Sequence, residues 1–224
     1  MDMVKERART MDFQVIKAEL YSGLLADILD EMGYRNQAMH YTIHPLKEDD
    51  VVVGRAFTVL ATDVYDQPEE PYKLEFQAVD KLSQGDVLVA TTNGSICSGF
   101  WGELLTTAAM GRGASGAVLD GMSRDTRAIR KLAFPLFLRG TNPLDSKGRT
   151  DVIDYQCTIE CGGVTVHPGD LIFGDYDGVV VVPADIAEEV VEKAFEKAGA
   201  ENEVRDAIRN GLSATETWNT YHIL

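Results

Sequence analysis

Residues 102–125 read Gly102-Glu103-Leu104-Leu105, then a short helical run and a strand, then Asp120-Gly121-Met122-Ser123-Arg124-Asp125. Twenty residues separate Glu103 from the Arg124-Asp125 pair. This spacing fits one helix that leaves the first loop and one strand that returns to the second. Two strand-to-helix loops then lie at the same edge of a sheet, where open α/β sheets bind their ligands. The stretch therefore predicts an α/β fold that brings an acid, a cation and a second acid to one crevice.

The same residues also have an ordinary structural explanation. Acidic residues in the first turn of a helix interact favourably with the helix dipole, which alone accounts for Glu103 and Asp125. A functional interpretation is favoured by Gly102 and Gly121, because glycine permits close backbone approach. It is also favoured by the free N–H groups at the start of a helix over 103–112, which suit a carboxylate. The pattern alone leaves both interpretations open.

The bulk composition limits the classes of function. With 224 residues and 45% hydrophobic content, the chain can bury a sizeable core, and one domain over 1–224 is expected. A formal net charge of −15 disfavours nucleic acid as a partner. No apolar run approaches the roughly 18 residues of a membrane helix, and the charged residues 1–11 do not resemble a secretory signal. Three cysteines give no disulfide framework, which indicates a reduced, cytoplasmic protein.

Apolar periodicity predicts the secondary structure. Helices are expected over 12–33, 72–82, 103–112, 124–132 and 185–198, with a further helix to about 210. Strands are expected over 51–60, 86–91, 116–119, 135–138, 151–160, 163–167, 170–173 and 178–182. Because consecutive strands follow the alternating part, we expect a mixed sheet covered by helices rather than a plain doubly wound sheet. The segment of about 185–224 resembles a helical arm that packs on a neighbouring subunit.

Several residues are predicted to begin, end or distort these elements. Gly33 is expected to end the first helix, and Ser123 to cap the helix over 124–132. Asp185 with Glu188 resembles a capping box. Gly54 is a candidate β-bulge, and Gly199 is expected to interrupt the C-terminal helix.

The residue types at the predicted crevice suit metal-dependent chemistry on a 2-oxo acid. A divalent cation held by Asp125 would bind the carboxylate and keto oxygen together and act as a Lewis acid. Arg124 adds a positive charge where an enolate oxygen develops. Glu103 is expected to hold a metal-bound water that removes the proton of a 4-hydroxyl group. With one protein carboxylate as ligand, the metal keeps water and substrate in its shell, as magnesium prefers.

These motifs resemble the signature of the RraA-like proteins. That family includes the class II 4-hydroxy-4-methyl-2-oxoglutarate and 4-carboxy-4-hydroxy-2-oxoadipate aldolases. The resemblance covers nearly the whole chain in order, through residues 54–59, 102–105, 113–125, 145–149 and 174–183.

The resemblance implies a β/β/α swivelling fold and homotrimers or dimers of trimers with active sites between subunits. It implies a divalent metal, Mg²⁺ or Mn²⁺, with Asp125 as its ligand and Arg124 on the substrate. The backbone N–H groups of 102–105 would bind the pyruvate carboxylate. The implied activity is retro-aldol cleavage of a 4-hydroxy-2-oxo acid to pyruvate and a carbonyl product, accompanied by oxaloacetate decarboxylation.

The chain departs from the aldolases of this family at one position. They carry aspartate where this chain has Glu103, whose carboxylate extends about 1.5 Å further. Those aldolases also use an acidic residue from the C-terminal region of a neighbouring subunit. In this chain the corresponding acid is not identified within residues 211–216. The alternative function, from another class, is a non-catalytic regulator that binds a ribonuclease or another protein.

Other motifs carry weaker signals. The run over 111–116 resembles a dinucleotide fingerprint but lies after a helix and before a strand, the wrong order for binding phosphates. Cys157 and Cys161 lack the second ligand pair of a zinc site. The basic residues of the loop 145–149 can approach a distal carboxylate of a substrate or simply be solvated, and both interpretations stay open.

Overall fold

The computed structural model describes residues 11–223. The expectation about a signal sequence in residues 1–11 lies almost entirely outside the described residues. The helices are α1 (Phe13–Glu19), α2 (Ser22–Glu31), α3 (Lys73–Asp80), α4 (Glu103–Gly111), α5 (Thr126–Ile129), α6 (Ala187–Arg209) and α7 (Ala214–Tyr221). The strands are β1 (His44–Pro45), β2 (Val52–Asp63), β3 (Asp86–Thr91), β4 (Gly99–Trp101), β5 (Gly116–Ser123), β6 (Leu136–Thr141), β7 (Thr150–Tyr155), β8 (Ile159–Cys161), β9 (Val164–Val166), β10 (Leu171–Asp175) and β11 (Gly178–Val182).

Nine of these strands form one mixed sheet. Its order is β1-β6-β5-β3-β2-β10-β11, with β4 on β5 and β7 on β2, while β8 and β9 form a separate hairpin. The neighbours β2, β3, β5 and β6 run parallel, and β1, β7, β10 and β11 pair antiparallel. Helix α4 is the crossover between β3 and β5, so the carboxyl ends of these two strands lie at one edge.

Apolar side chains cover both faces of the parallel strands. On one face α3, α4 and α5 contribute Val79, Ala109 and Ile129 to a core shared with β2, β3, β5 and β6. The β8–β9 hairpin packs on the opposite face. A third cluster joins α1, α2 and α6 to β10 and β11. The predicted fold class, α/β with mixed sheet layers covered by helices, is confirmed.

The expected helix over 12–33 is wrong in one respect, because the chain forms α1 and α2 with a break between them. Tyr21 has an extended backbone there. Asp175, at the end of β10, accepts hydrogen bonds from the Ser22 N–H (2.8 Å) and hydroxyl (2.7 Å). A carboxylate 153 residues away therefore caps α2, which no local pattern reveals. Gly33 follows α2 with φ of 90°, as expected for a helix-ending glycine.

The predicted interruption at Gly199 is also wrong, since α6 runs unbroken from Ala187 to Arg209. Its first half is held in the core by Val190, Val191 and Ala194, and this support outweighs the low helix propensity of one glycine. The capping box of Asp185 and Glu188 does not form, because the N-cap is Ile186 without a side-chain cap. The single domain with a C-terminal arm stays a prediction.

Two smaller expectations, the bulge at Gly54 and the long strand over 151–160, are corrected by the sheet. Gly54 pairs regularly with Ile172, and the bulge in β2 lies between Leu60 and Ala61 instead. A Cβ at Gly54 would lie 2.2 Å from the Gly85 carbonyl oxygen, so close backbone approach explains this glycine. The strand expected over 151–160 is divided into β7 and β8.

Ser123 does not cap a helix. It is the last residue of β5, and its hydroxyl donates to the Trp101 carbonyl over 2.8 Å. The helix expected over 124–132 is reduced to α5, for which Asp125 occupies the N-cap position.

Candidate active site

The loops that begin α4 and α5 lie together at the carboxyl edge of β3 and β5. The Glu103 backbone N–H donates to Asp125 Oδ2 over 3.4 Å. The Arg124 N–H donates to the Trp101 carbonyl over 2.8 Å, which ties the second loop to β4. One bond to a side chain and one between backbone groups therefore join the two segments, as the 20-residue spacing predicts.

A cleft of about 250 Å³ lies at this edge. Its size suits a small metabolite rather than a drug-sized ligand. The lining residues come from α3, β4, the start of α4, the loop after β5 and the loop before β7: Tyr72, Glu75, Phe76, Gly99, Phe100, Gly102, Leu104, Leu105, Arg124, Asp125, Asp145 and Ser146.

The start of α4 forms one end of the cleft. Gly102 is its N-cap and provides no side-chain cap. A Cβ on this residue would lie 2.9 Å from Asp125 Oδ2, so only glycine leaves the carboxylate undisturbed. The first N–H groups of a helix, here on Glu103, Leu104 and Leu105, have no acceptor within the helix. This end of the cleft can therefore bind a carboxylate.

Asp125 has a backbone conformation that few residues adopt. Its φ of 57° and ψ of 20° are left-handed, which aspartate tolerates better than most residues. The side chain is 47% exposed. Tyr72, also in the cleft, has a left-handed φ of 66°, which is unusual for a bulky residue. Such conformations are concentrated at functional sites, where surrounding contacts hold them.

Arg124 lies between two carboxylates. Its Nε is 3.5 Å from Asp125 Oδ2, and its Nη1 is 3.3 Å from Asp145 Oδ1. The guanidinium is thereby held across the cleft, with part of its surface free for an oxygen of a ligand. Arginine suits this role because its planar donors bind two partners at once.

Tyr72 binds the carboxylate oxygen of Asp145 that does not face Arg124. The phenol donates to Asp145 Oδ2 over 2.7 Å. Burial, this hydrogen bond and the neighbouring carboxylate raise the pKa of Tyr72 to about 12, so the phenol stays protonated. Burial alone would raise the pKa of Asp145. The hydrogen bond from Tyr72, the charge of Arg124 and backbone N–H groups nevertheless lower it below the ordinary value.

Glu75 is a functional candidate that the sequence patterns do not indicate. The residue is only 5% exposed although it lies in the cleft lining. Its Oε1 has no hydrogen-bond partner among the described residues. Burial raises the pKa of Glu75 to about 8, the charges of Asp151 and Asp145 add to the rise, and Arg124 opposes it. At neutral pH the carboxyl group is therefore mostly protonated.

The structure places the remaining predicted residues as follows. Gly102, Leu104 and Leu105 line the cleft, whereas the carboxylate of Glu103 accepts a hydrogen bond from Thr107 on the next turn of α4 (2.8 Å). Gly121 lies within β5, where a Cβ would meet Thr92 rather than the cleft.

The loop before β7 contributes acid rather than base to the cleft. Asp145 and Ser146 belong to the lining, while Lys147 is exposed. Arg149 donates from Nη1 to the carbonyl of Asp145 over 3.0 Å, so its guanidinium supports the loop. Of the two interpretations that the sequence leaves open, the lining does not favour an approach of the basic side chains to a substrate.

A profile of the family described as RraA-like (Aldolase/RraA) matches residues 24–181. The chain belongs to the RraA-like family. A Halalkalibacterium halodurans protein with the provisional name 4-hydroxy-4-methyl-2-oxoglutarate aldolase is 38% identical over 195 residues, which are 87% of each chain. Protein DlpA of Legionella pneumophila is 31% identical over 204 residues. That match covers 89% of this chain but 32% of DlpA, so this chain spans about a third of that relative.

A solved structure supports the same assignment. RraAS2 of Streptomyces coelicolor, described as an unusual member of the RNase ES inhibitor RraA family, matches with a TM-score of 0.77 and 30% identity. The match covers 89% of this chain and 96% of that one. Relatives of this RraA-like protein are thus named both as an aldolase and as a ribonuclease inhibitor.

The donor set of the cleft fits a metal that needs few protein ligands. Within residues 11–223 no three His, Cys, Asp or Glu side chains are grouped so that they could hold an ion together. Asp125 instead offers one accessible carboxylate beside open space. Magnesium typically binds one or two carboxylates and keeps several waters, whereas structural zinc sites need four protein ligands. The residues present therefore fit Mg²⁺ or Mn²⁺ in this RraA-like chain.

Two further observations concern the molecule outside the cleft. None of the helices in the described part of the chain is long and apolar enough to cross a membrane. Cys97, Cys157 and Cys161 are free thiols.

Proposed function

We propose that the protein is a divalent-metal-dependent lyase that cleaves a 4-hydroxy-2-oxo acid to pyruvate and a carbonyl product, and that it also decarboxylates oxaloacetate. The observation that carries the proposal is the arrangement of Asp125 and Arg124 against the first N–H groups of α4, of which the Glu103 N–H donates to Asp125. One end of the cleft thus offers a carboxylate for a cation, a fixed positive charge and a cradle for an anion.

Each residue has a role in this proposal. Asp125 would hold Mg²⁺ or Mn²⁺. When bound, such an ion supplies a Lewis acid that polarises a carbonyl oxygen. The N–H groups of 102–105 bind the 1-carboxylate of the substrate, and Arg124 stabilises the negative charge that develops on the 2-oxo oxygen.

Glu103 is proposed as the base. Through a water molecule it takes the proton of the 4-hydroxyl group, and the C3–C4 bond breaks. C4 leaves as a carbonyl group, the bonding electrons remain on the pyruvate fragment, and a proton from solvent completes pyruvate at C3. For this role the Glu103 carboxylate exchanges its hydrogen bond with Thr107 for the water.

The proposal includes homotrimers or dimers of trimers with no nucleic acid or membrane partner, and a cytoplasmic location. The acidic net charge of −15 supports the absence of a nucleic acid partner. The three free thiols support a reducing compartment.

The first test measures pyruvate formation from oxaloacetate with Mg²⁺, with EDTA, and with Mg²⁺ restored, after subtraction of the reaction without protein. We expect turnover that EDTA abolishes and Mg²⁺ restores. Asp125→Asn removes the charge but tolerates the left-handed backbone, and it should reduce kcat about a hundredfold or more, as should Arg124→Ala. Arg127→Ala, at an exposed arginine of α5, is the matched control and should retain turnover. A fully active Asp125→Asn protein would exclude the metal assignment.

A second function is favoured by the description of the Streptomyces coelicolor relative as a ribonuclease inhibitor. The protein would then act by contact with a ribonuclease or another protein. Inhibition of purified ribonuclease E, together with no metal-dependent turnover of oxaloacetate or of any 4-hydroxy-2-oxo acid, would support this regulatory function instead of the lyase.

A further inference from the structure

The end of the cleft opposite the start of α4 has a distinct chemical character. The contacts run in order from the α4 N-terminus to Asp125, Arg124, Asp145 and Tyr72. Glu75 follows Tyr72 by one turn in α3 and lines the same cleft. If the 2-oxo acid group lies at α4, the substituent on C4 extends towards Asp145, Tyr72 and Glu75.

This distal end contains no free cation among its lining residues. Arg124 is the cation of the lining and already faces Asp125 and Asp145. Lys147 is exposed outside the lining, and Arg149 binds the loop backbone. A second carboxylate on the substrate would therefore approach Asp145 with no cation in the lining besides Arg124, which is already paired with Asp125 and Asp145.

The burial of Glu75 is a second feature of this distal end, independent of the charges around Arg124. Its side chain is almost completely buried, and its Oε1 has no partner among the described residues. Buried polar atoms are nearly always hydrogen-bonded, so an unpartnered one on a residue of the cleft lining is a group that a ligand or a water molecule can satisfy. The Ser146 hydroxyl and the Tyr72 phenol add two more polar groups to the same end.

We propose that this distal end, with Glu75 as its specificity-determining residue, selects 4-hydroxy-2-oxo acids whose C4 substituent is an uncharged chain of hydroxyl groups. The substrate class is the 2-oxo-3-deoxyaldonic acids rather than acids with a second carboxylate at C4. The inference rests on the proposed lyase function. The C3–C4 bond breaks as described, the 4-hydroxyl oxygen becomes the carbonyl of a polyhydroxy aldehyde, and pyruvate gains the proton at C3.

Hydroxyl groups match these residues because each one both donates and accepts a hydrogen bond. Asp145, whose pKa lies below the ordinary value, is an acceptor. Glu75 is mostly protonated at neutral pH because burial and the charges of Asp151 and Asp145 outweigh Arg124. A protonated carboxyl group has one donor and one free acceptor oxygen, which pairs with a hydroxyl group in either direction.

The test compares kcat/KM of the protein with Mg²⁺ for three kinds of substrate. They are 2-oxo-3-deoxyaldonates of both configurations at C4, 4-hydroxy-4-methyl-2-oxoglutarate, and 4-hydroxy-2-oxopentanoate, which has only a methyl group at C4. We expect kcat/KM for the hydroxylated substrate to exceed kcat/KM for the dicarboxylate by about tenfold or more. In Glu75→Leu, the ratio of kcat/KM for the hydroxylated substrate to that for 4-hydroxy-2-oxopentanoate should fall roughly tenfold.

Two further variants make the result decisive. Glu75→Gln keeps a donor and an acceptor of nearly the same shape, and it should retain most of the ratio even if Glu75→Leu folds poorly. Gln77→Leu, at an exposed position of the same helix, is the matched control and should leave the ratio unchanged.

The outcomes separate this inference from the proposed function. A wild-type preference for 4-hydroxy-4-methyl-2-oxoglutarate, or an unchanged ratio in a folded Glu75→Leu protein, overturns the substrate class while leaving the lyase in place. No turnover of oxaloacetate or any of the three acids overturns both.

Discussion

Glu75 holds an ionisable carboxyl group where water scarcely reaches it, and this affects stability as well as binding. Between the ordinary glutamate pKa of roughly 4.3 and about 8, the native state keeps a proton that the unfolded chain has lost. The free energy of unfolding therefore decreases as the pH rises through this window. The ionisable groups that act on Glu75 or share its cleft are Asp151, Asp145, Arg124, Asp125 and Tyr72.

Removal of the Glu75 carboxyl group should make the free energy of unfolding less sensitive to alkaline pH. Since one unit of pKa difference corresponds to about 1.4 kcal/mol, the free energy of unfolding of Glu75→Gln relative to wild type should rise by about 3 kcal/mol between pH 6 and pH 9. Urea unfolding at both pH values measures the difference. The control is Glu69→Gln, which makes the same replacement at an exposed position and is unfolded at the same two pH values. Parallel pH profiles for wild type and Glu75→Gln would contradict the raised pKa.

At the scale of elements, α6 contains a glycine that the helix tolerates rather than requires. No atom lies within 4 Å of a Cβ placed on Gly199, and its φ is not left-handed. Alanine is favoured over glycine in a helix by about 1 kcal/mol. Gly199→Ala should therefore raise Tm by about 2–4 °C, as measured by calorimetry, without a change in turnover. A lower Tm would show that α6 needs flexibility at this point.

At the start of α4, unlike at Gly199, replacement of glycine by alanine should be harmful. In Gly102→Ala the new Cβ would lie 2.9 Å from Asp125 Oδ2 and displace that carboxylate. We expect kcat/KM for oxaloacetate to fall about tenfold or more, because small misplacements in an active site are costly. Gly111→Ala, at the end of the same helix with nothing within 4 Å, should behave like wild type. Equal activity of the two variants would show that the active site does not require glycine at position 102.

At the scale of the whole molecule, large apolar side chains are exposed around the cleft. Phe76 and Leu104, both in its lining, are 52% and 79% exposed, and Ile96 and Leu144 are 65% and 46% exposed. Leu144 accepts a backbone hydrogen bond from Gly99 of the lining, and Asn142 links to the carbonyl of Ile96. Exposed apolar patches of this kind mark protein contacts, in agreement with the proposed subunit interface at the active site.

If these exposed side chains form the subunit interface, a substitution that weakens assembly should also lower activity. Light scattering should give a mass of three or six times the 24.6 kDa chain. Ile96→Glu should lower both that mass and oxaloacetate turnover, because it places a charge in an apolar contact. Tyr41→Glu, at an exposed tyrosine in the segment before β1, is the control. A monomeric wild-type protein with full activity would contradict the interface.

Local sequence was sufficient for most elements and for the meeting of the two loops. Apolar patterns located helices α1 to α6 and the parallel strands β2, β3, β5 and β6 to within about four residues, because the helices bury one face and these strands are apolar runs buried on both faces. Helix α7 and the short strands β1 and β4 were not predicted. The crossover from Glu103 to Arg124 needed only the lengths of a helix and a strand. Capping was predicted less well: neither Ser123 nor the pair of Asp185 and Glu188 acts as a cap.

What the sequence determined by itself is therefore the α/β order, the family motifs and the proximity of Arg124 and Asp125 to the start of α4. Only the tertiary structure decided that Asp175 caps α2 from 153 residues away, and that Asp145 rather than Lys147 faces the cleft. It also decided that Glu75 is buried without a partner for Oε1. The physical reason is that periodicity and spacing act within one element, whereas burial and long-range hydrogen bonds depend on which elements pack together.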